Sequence, residues 1–297
     1  MIDFIGQSVD ALSAKVGASG AAAPTPTSPA IADLELNLLL EGVYRVCGFD
    51  FRDYAPATIK RRISERVRAE GARSTTGLLE RVLHEPAVLQ RLIEALTHNA
   101  GSPFREPAFF AAFRERVLPR LRTFPHVRLW VIGSGEDAYG LAIILREADL
   151  AHRVRIYVTE ASEGSVERAK EGAFPLDLLD EFASRYVEAG GSRQFSDYVD
   201  IGEGVARFKP TLRQQMVFAQ HNLVTDGSFN EFHLVVARNV FSHFNRTLVY
   251  RAHQVVYESL VRLGYLGIGA KETLRYTPHQ RAYEQVDPAD QFYRRVR

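Results

Sequence analysis

The feature that most constrains the fold of this chain is the regular alternation of β-rich runs and helical stretches after residue 124. Four short runs, VRLWVIG, VRIYVTE, EFHLVVA and YLGIGAK, are separated by helical patterns such as DAYGLAIILREA and RTLVYRAHQVVYESLVRLG. Apolar runs of this kind are typical of strands buried in a parallel sheet. Strands that alternate with helices build right-handed βαβ units. The sequence therefore predicts an α/β fold with a doubly wound, Rossmann-like sheet.

Three further segments complete the predicted organisation. An insert after the second run has an alternating pattern that predicts a small antiparallel β subdomain at about residues 185–215. Residues 31–105 contain amphipathic helical patterns with prolines near helix starts, which predicts a small helical domain ahead of the α/β domain over 106–297. Residues 1–30 begin with a short amphipathic helical pattern and continue into an Ala- and Pro-rich run, so we expect a flexible tail there.

Composition narrows the class of protein. The net charge of the 297-residue chain is +1, so no overall field favours nucleic acid or an anionic membrane. The chain has no apolar run of about 18 residues and no basic region ahead of an apolar core at its N-terminus, so we expect a cytoplasmic protein. The single cysteine, Cys47, excludes a disulfide within the chain, and we expect a core thiol. The histidines show no metal-binding spacing, and we predict no metal.

The stretch RLWVIGSGEDAYGLA, residues 128–142, predicts a strand, a glycine turn and a helix, an arrangement that holds nucleotide-like ligands. A NAD fingerprint needs Gly-x-Gly-x-x-Gly, but the third glycine comes two positions late. Glu136 and Asp137 would repel a phosphate, whereas Glu160, at the end of the next strand, can accept hydrogen bonds from ribose hydroxyls. A ligand with a ribose, an adenine and a cationic aminoacyl group, S-adenosylmethionine, fits better. The alternative is a glycine turn that only packs a strand against a helix.

Six segments match one protein family in order and spacing between about residue 35 and residue 297. They are FRDYAPATIKRRISERV, LTHNAGSPFREPAFF, RLWVIGSGEDAYGLAIIL, VTEASEGSVERAKEGAFP, LRQQMVFAQHNL and VVARNVFSHF. In them the chain resembles the chemotaxis receptor methyltransferases of the CheR type, which are S-adenosylmethionine-dependent protein-glutamate O-methyltransferases. The resemblance implies methyl transfer to glutamate side chains in a helical region of a chemoreceptor-like signalling protein, with S-adenosylhomocysteine as the product.

The resemblance also implies roles for individual residues. Arg105 and His243 are the predicted catalytic residues, because a guanidinium can pair with the carboxylate of the cofactor and a histidine can donate a hydrogen bond to an incoming carboxylate. The alternatives are an Arg105 paired with Glu106 or Asp137, and a His243 half-buried between phenylalanines. The predicted cofactor-binding residues are Asn99 (alternatively a helix cap), Gly101, Arg105, Gly133, Glu136, Glu160, Asn222, Leu223, Arg238 and Asn239.

Four features depart from the family pattern, and one of them is Glu160, which stands where the family has aspartate. The turn that begins at Gly133 is two residues shorter than the family's Gly-Cys-Ser/Ala-Thr/Ser-Gly-Glu-Glu. Gly101 stands where the family has threonine, and His243 stands where it has tyrosine. A shorter turn moves the backbone amides relative to the cofactor. A second hypothesis therefore stays open, a degenerate CheR-like module that binds S-adenosylmethionine, its demethylated product or a protein partner without methyl transfer.

The helical region contains a strongly basic segment, IKRRISERVR. In the family this domain faces the methylation helices of the receptor, and a cationic face would attract their glutamates. The predicted partner-binding residues are Lys60, Arg61, Arg62 and Arg66. The alternatives are a solvated face of an amphipathic helix and, more weakly, a nucleic-acid site, for which the segment lacks interleaved aromatic residues.

Overall fold

The computed structural model of the protein describes residues 29–52, 56–97, 102–223, 225–244, 246–287 and 291–297. The amphipathic helix predicted at the start of the chain lies outside these residues. The predicted tail lies outside them as well, except for its last two residues, which open the first helix.

The helical region consists of α1 Pro29–Cys47, α2 Pro56–Ala69, α3 Thr75–His84 and α4 Pro86–Thr97. Three of these helices begin with proline, whose fixed φ suits the first helical turn and whose missing N–H leaves no bond unmade there. The hydroxyl of Ser74 caps α3 by accepting a hydrogen bond from the amide of Gly77 at 3.1 Å. Leu39, Leu78 and Leu92 are fully buried where the helices meet, so this region has a core of its own.

The main sheet begins after a helix interrupted by a π turn. Helix α5 Pro107–Ala112 runs into the π turn Phe113–Val117 and then into α6 Leu118–Leu121. The other elements up to the last helix are β1 Val127–Ile132, α7 Gly135–Glu147, β2 Val154–Glu160, α8 Glu163–Glu171, β3 Ala173–Pro175, α9 Leu179–Glu188, β4 Val199–Ile201, β5 Val205–Phe208, α10 Pro210–Arg213, β6 Met216–Gln220, β7 Phe232–Ala237 and α11 Arg246–Ser259. Strands β8 Leu260–Ile268, β9 Tyr283–Gln285 and β10 Phe292–Arg295 follow, and short 3-10 turns lie at Ala151–Arg153, Leu176–Leu178, Phe195–Tyr198, Phe241–His243 and Gln280–Ala282.

Within the described residues, the main sheet has seven strands in the order β6-β2-β1-β7-β8-β10-β9. The first five are parallel, and β10 and β9 add an antiparallel edge. The chain leaves β1 in one direction to β2 and later returns to β7 on its other side, so the strand order reverses between β1 and β7. Ligands of such sheets bind beyond the carboxyl ends of the strands at this point of reversal. The predicted doubly wound sheet is confirmed.

The antiparallel insert is also confirmed, but its first strand lies earlier than predicted. Strands β3, β5 and β4 form a separate three-stranded sheet, and β3 precedes the predicted range of 185–215. A strand of three residues is too short to produce a periodic pattern, which is why the sequence gives no signal for it. The boundary at residues 105 and 106 between the helical and α/β domains stays a prediction.

The described residues contain neither a membrane-spanning helix nor a metal-binding cluster. No helix there combines the length and the apolar character needed to cross a bilayer. No group of three or more metal-ligating side chains lies together in the same residues.

Candidate functional site

A pocket of about 720 Å³ lies at the carboxyl ends of β1, β2 and β7. One wall is built by the α/β region and includes Gly133–Asp137, Glu160–Ser162, Gln220–Leu223 and Arg238–Val240. The opposite wall comes from the helical region, at the end of α1 and along α4. Cys47, predicted as a core thiol, is half-buried in this second wall, and its Sγ donates to the carbonyl of Val43 at 3.0 Å. The pocket therefore needs both regions of the chain.

The turn after β1 is short because only Gly133 and Ser134 separate the strand from α7. Gly133 has a φ of +66°, a conformation that costs glycine little. Ser134 caps α7 by accepting a hydrogen bond from the amide of Asp137 at 3.3 Å. A Cβ on Gly135 would lie 2.7 Å from that of Ala169 in α8, so this glycine allows two helices to approach closely. The packing alternative considered from the sequence therefore holds at Gly135, although both Gly133 and Gly135 line the pocket.

Two carboxyl groups of the pocket have no ion-pair partner among the described residues, although the more distant charge of Arg168 favours their ionised forms. Glu136 begins α7 and Glu160 ends β2, and neither forms an ion pair within 4.0 Å with any residue that the structure describes. Burial, and then the neighbouring charge of Glu136, raise the pKa of Glu160 to about 8, although the amide of Gly135 donates a hydrogen bond that opposes the rise. Burial also raises the pKa of Glu136. Desolvated acids in a cleft are typical of ligand sites, and these two suit hydroxyl donors or a cation.

Arg238 is a buried clamp that joins three segments of the site. Its guanidinium donates to Asp137 at 2.7 Å, to Glu106 at 3.0 Å and to the carbonyl of Arg105 at 2.6 Å. It also stacks over the ring of Phe109 at 4.5 Å. Arg238 is 5% exposed and Asp137 is 4% exposed. Burial raises the pKa of Asp137, and the positive charge of Arg238 opposes that rise. Arg238 therefore borders the pocket while its charge is used to hold the wall together.

Arg105 is free to meet an anion. The two acids that the sequence offered as its partners, Glu106 and Asp137, pair with Arg238 instead. Within the described part of the chain, the Arg105 side chain makes no hydrogen bond or ion pair, and it lines the pocket. Its neighbours Phe104 and Glu106 both have a φ of +58°, which is rare for residues with a side chain and costs about 1–3 kcal/mol each. The fold thus tolerates strain on both sides of Arg105.

The loop after β7 is fixed by an acid that the sequence analysis missed. Asn239 has a φ of +57°, and its amide donates to Glu272 at 2.8 Å. The same carboxylate accepts from the amides of Gly269, Phe241 and Ser242 at 2.9, 2.8 and 3.2 Å. Burial raises the pKa of Glu272, and these four amides oppose the rise. Glu272 follows the end of β8, but three of its four partners lie 30 to 33 positions away, so no local pattern could identify it.

The segment after β6 closes another side of the pocket. Leu223 is 4% exposed and belongs to the core cluster around Trp130. The amide of Asn222 donates to Asp226 at 2.9 Å, and this bond holds the pKa of Asp226 below its usual range. His221, also missed from the sequence, is 9% exposed, and its Nε2 lies 3.0 Å from the carbonyl of Gly227. The predicted pair Asn222 and Leu223 therefore reaches the same pocket as Glu136 and Glu160.

Three of the predicted site residues lie wholly or partly outside the described part of the chain. Asn99 and Gly101 lie outside the described residues. His243 belongs to a described 3-10 turn, but the position of its side chain is not described. The predicted contacts of these three residues stay predictions.

The four cations predicted to bind a partner all have partners inside the helical region. Each distance is short enough for an ion pair or a charge-assisted hydrogen bond. Lys60 pairs with Asp33 at 2.6 Å, Arg61 with Glu65 at 3.0 Å and Arg66 with Glu70 at 3.1 Å, and Arg62 donates to the carbonyl of Leu96 at 2.5 Å. The surface of α2 is therefore less cationic than its sequence indicates, and its role in attracting a partner stays a prediction.

Comparison with known families decides the assignment. Residues 99–289 match the model described as CheR methyltransferase, SAM binding domain, and residues 34–97 match the CheR methyltransferase, all-alpha domain. The chain belongs to the CheR methyltransferase family. The resemblance stated from the sequence is thereby confirmed, and so is the expected cofactor, S-adenosylmethionine.

Several curated relatives match nearly the whole chain. A protein named putative methyltransferase Cher3 from Pseudomonas putida is 37% identical over 91% of this chain and 99% of its own length. A chemotaxis protein methyltransferase from Listeria monocytogenes is 28% identical over 82% of this chain and 92% of its own length. Chemotaxis protein methyltransferase 1 from Pseudomonas aeruginosa is 26% identical over 88% of this chain and 97% of its own length. The chain is thus similar to complete methyltransferases of this family.

Proposed function

We propose that this protein transfers a methyl group from S-adenosylmethionine to glutamate side chains in a helical region of a chemoreceptor-like protein in the cytoplasm. The observation that carries the proposal is the charge arrangement of the pocket. Two desolvated acids, Glu136 and Glu160, line one cavity together with the guanidinium of Arg105, which has no ion-pair partner among the described residues. A ligand with hydroxyl groups, an ammonium and a carboxylate complements all three. Relatives named chemotaxis protein methyltransferase support the receptor as substrate.

Each of these side chains has a distinct task in the proposed reaction. Glu160 accepts hydrogen bonds from the ribose hydroxyls, Glu136 neutralises the aminoacyl ammonium, and Arg105 pairs with the aminoacyl carboxylate. S-adenosylmethionine supplies a methyl group already activated on a sulfonium. A substrate glutamate is ionised at neutral pH and needs no general base, so the protein contributes mainly alignment. We infer that the acceptor approaches beside the wall formed by the helical region, because that wall completes the pocket.

One observation favours a second candidate, a module that binds the cofactor without transferring the methyl group. Only Gly133 and Ser134 connect β1 to α7. The family pattern has two more residues there. A displacement of about 1 Å in the bound cofactor is enough to cost roughly a hundredfold in rate. Binding contacts from β2 and from the segment after β6 do not depend on this turn.

The two candidates are separated by measuring binding and transfer on the same preparation. Calorimetry with S-adenosylhomocysteine tests binding. Transfer is tested with tritiated S-adenosylmethionine and purified cytoplasmic fragments of chemoreceptors from the same organism, with base-labile methanol release as the signature of a glutamyl methyl ester. Binding together with ester formation supports the methyltransferase. Binding without ester formation on any receptor fragment supports the second candidate, and no binding at millimolar ligand contradicts both.

A further inference from the structure

Glu272 occupies an unusual place next to the pocket. Its two carboxylate oxygens accept four backbone hydrogen bonds, from Gly269 at the end of β8 and from Asn239, Phe241 and Ser242 after β7. Asn239 and the following residue, Val240, line the pocket, whereas Glu272 is not among the lining residues. One side chain thus connects the ends of two neighbouring strands without touching the space that a ligand would fill.

The bonding requires a carboxylate of this length. All four partners are N–H donors, and an ionised carboxylate has about four acceptor sites and no donor. A glutamine would replace one oxygen with an NH2 group, which would face amide donors. Buried donors left without an acceptor destabilise the folded arrangement. The surrounding backbone amides, and not contact with a substrate, therefore require a glutamate at this position.

The segment that Glu272 holds is strained and tightly packed. Asn239 has a φ of +57°. A Cβ on Gly269 would lie only 2.7 Å from the side-chain oxygen of Asn239, so only glycine leaves room for this conformation. A Cβ on Gly133 would lie 3.7 Å from a methyl carbon of Val240, which places this segment directly opposite the turn after β1. A shift of the segment would therefore change the pocket on the side facing the turn.

We propose that Glu272 is a positioning residue of the methyltransferase: its carboxylate fixes the segment Asn239–Val240 and thereby sets the alignment of the reactants more than the strength of cofactor binding. The inference rests on the proposed function. Affinity is affected less because Glu160 and Leu223 are held by other strands, β2 and β6, with no bond to Glu272 among the described contacts. The segment after β7 contributes to the pocket on the other side of β1 from β2 and β6.

Glu272→Gln is the main test variant. It should lower kcat by roughly 10- to 100-fold, since a misplacement of about 1 Å has that effect, while the dissociation constant of S-adenosylhomocysteine changes by less than about threefold. Glu284→Gln on β9, an exposed acid paired with Arg294, is the matched control and should behave like the wild type. Gly269→Ala is a second variant that moves Asn239 without removing charge, and it should show the same separation of rate from affinity.

Amide hydrogen exchange provides a readout that does not need turnover. In Glu272→Gln the amides of Asn239, Phe241 and Ser242 should exchange at least about tenfold faster, with no change in Glu284→Gln. Protected amides, or an unchanged kcat, in the variant would overturn the inference. So would an equal loss of rate, cofactor affinity and melting temperature in both test variants, which would indicate a general structural role. If the wild type transfers no methyl group, the proposed function fails, and exchange together with affinity alone decides whether Glu272 fixes this segment.

Discussion

The charges of the pocket and the charges of α2 form an instructive contrast. Glu136 and Glu160 are desolvated and form no ion pair with any described residue, although the charge of Arg168 favours their ionised forms, and burial raises the pKa of each. The cations of α2 are numerous, yet Lys60 and Arg61 each have an acidic partner at 3.0 Å or closer. Sequence composition makes α2 the more conspicuous feature. The structure indicates that the two acids matter more for ligand binding, because a ligand in the cleft can supply the ion-pair or hydrogen-bond partner that they lack among the described residues.

The largest effect is expected from replacing Arg238, whose contacts hold the pocket wall together. Arg238→Met leaves Asp137 buried without its counter-charge, and we expect the free energy of unfolding to fall by about 3–5 kcal/mol. Urea denaturation measures it. Arg207→Met, whose side chain is 51% exposed and pairs with Glu171 outside the pocket lining, is the control and should cost less than about 1 kcal/mol. Equal losses in the two variants would mean that buried and exposed charges matter alike in this protein.

A second variant tests the ligand side of the comparison. Glu160→Ala should weaken S-adenosylhomocysteine binding by about 1–3 kcal/mol, because a charged acceptor for hydroxyl groups is lost. Isothermal titration calorimetry gives the affinity. Glu163→Ala, an exposed acid at the start of α8 outside the pocket lining, is the matched control. An affinity unchanged by the loss of Glu160 would remove this acid from the cofactor site.

The pKa of about 8 at Glu160 predicts a dependence on pH. The folded state keeps the proton up to about pH 8, whereas the unfolded chain releases it near the ordinary value of 4.5. Stability from this group is therefore fully present below pH 4.5, falls as pH rises and is lost by about pH 8. We expect Glu160→Gln to lose less stability than the wild type between pH 5 and pH 8 in thermal melts. Parallel curves for the two proteins would contradict the desolvation of Glu160.

The same titration should appear in ligand binding. Ribose hydroxyls donate to the ionised carboxylate, so affinity for S-adenosylhomocysteine should rise with pH up to about 8. Glu136 lies nearby and its pKa is also raised, so the two acids titrate together. The charge of Arg168 favours the ionised form of Glu160. Glu160→Gln should flatten the profile. A flat wild-type profile would show that the ligand does not contact an acid of this kind.

The smallest effect is expected on the surface of α2. Arg61→Glu replaces a pair with Glu65 by a like-charge pair and should cost about 0.3–0.5 kcal/mol of stability. It should also slow association with a glutamate-rich helical receptor fragment, more at low salt than at high salt. Stopped-flow binding measures this, with exposed Arg120→Glu as the control. Association insensitive to both the reversal and salt would remove α2 as the partner-binding face.

The parts of the molecule that could be predicted are those encoded in local pattern. The strands β1, β2 and β7 and the prolines that open α2 and α4 are visible as runs and positions in the sequence. The role of Glu272, the pairing of Arg238 with Asp137 and the bond from Arg62 to the carbonyl of Leu96 are not, because they join positions 30 or more residues apart. The need for glycine at position 135 could not be predicted from the local sequence either, because it arises from the close approach of α8.

The contacts of Arg238 with three segments bear on the stage of folding at which the pocket can form. Its partners Asp137 and Glu106 lie 101 and 132 positions earlier in the chain. Contacts of such long range form only after the entropy of closing large loops has been paid, and they are among the slow steps of folding. A growing chain on the ribosome therefore cannot assemble the site until β7 has emerged and docked beside β1. The capacity to bind cofactor is therefore a sign that β7 has docked beside β1.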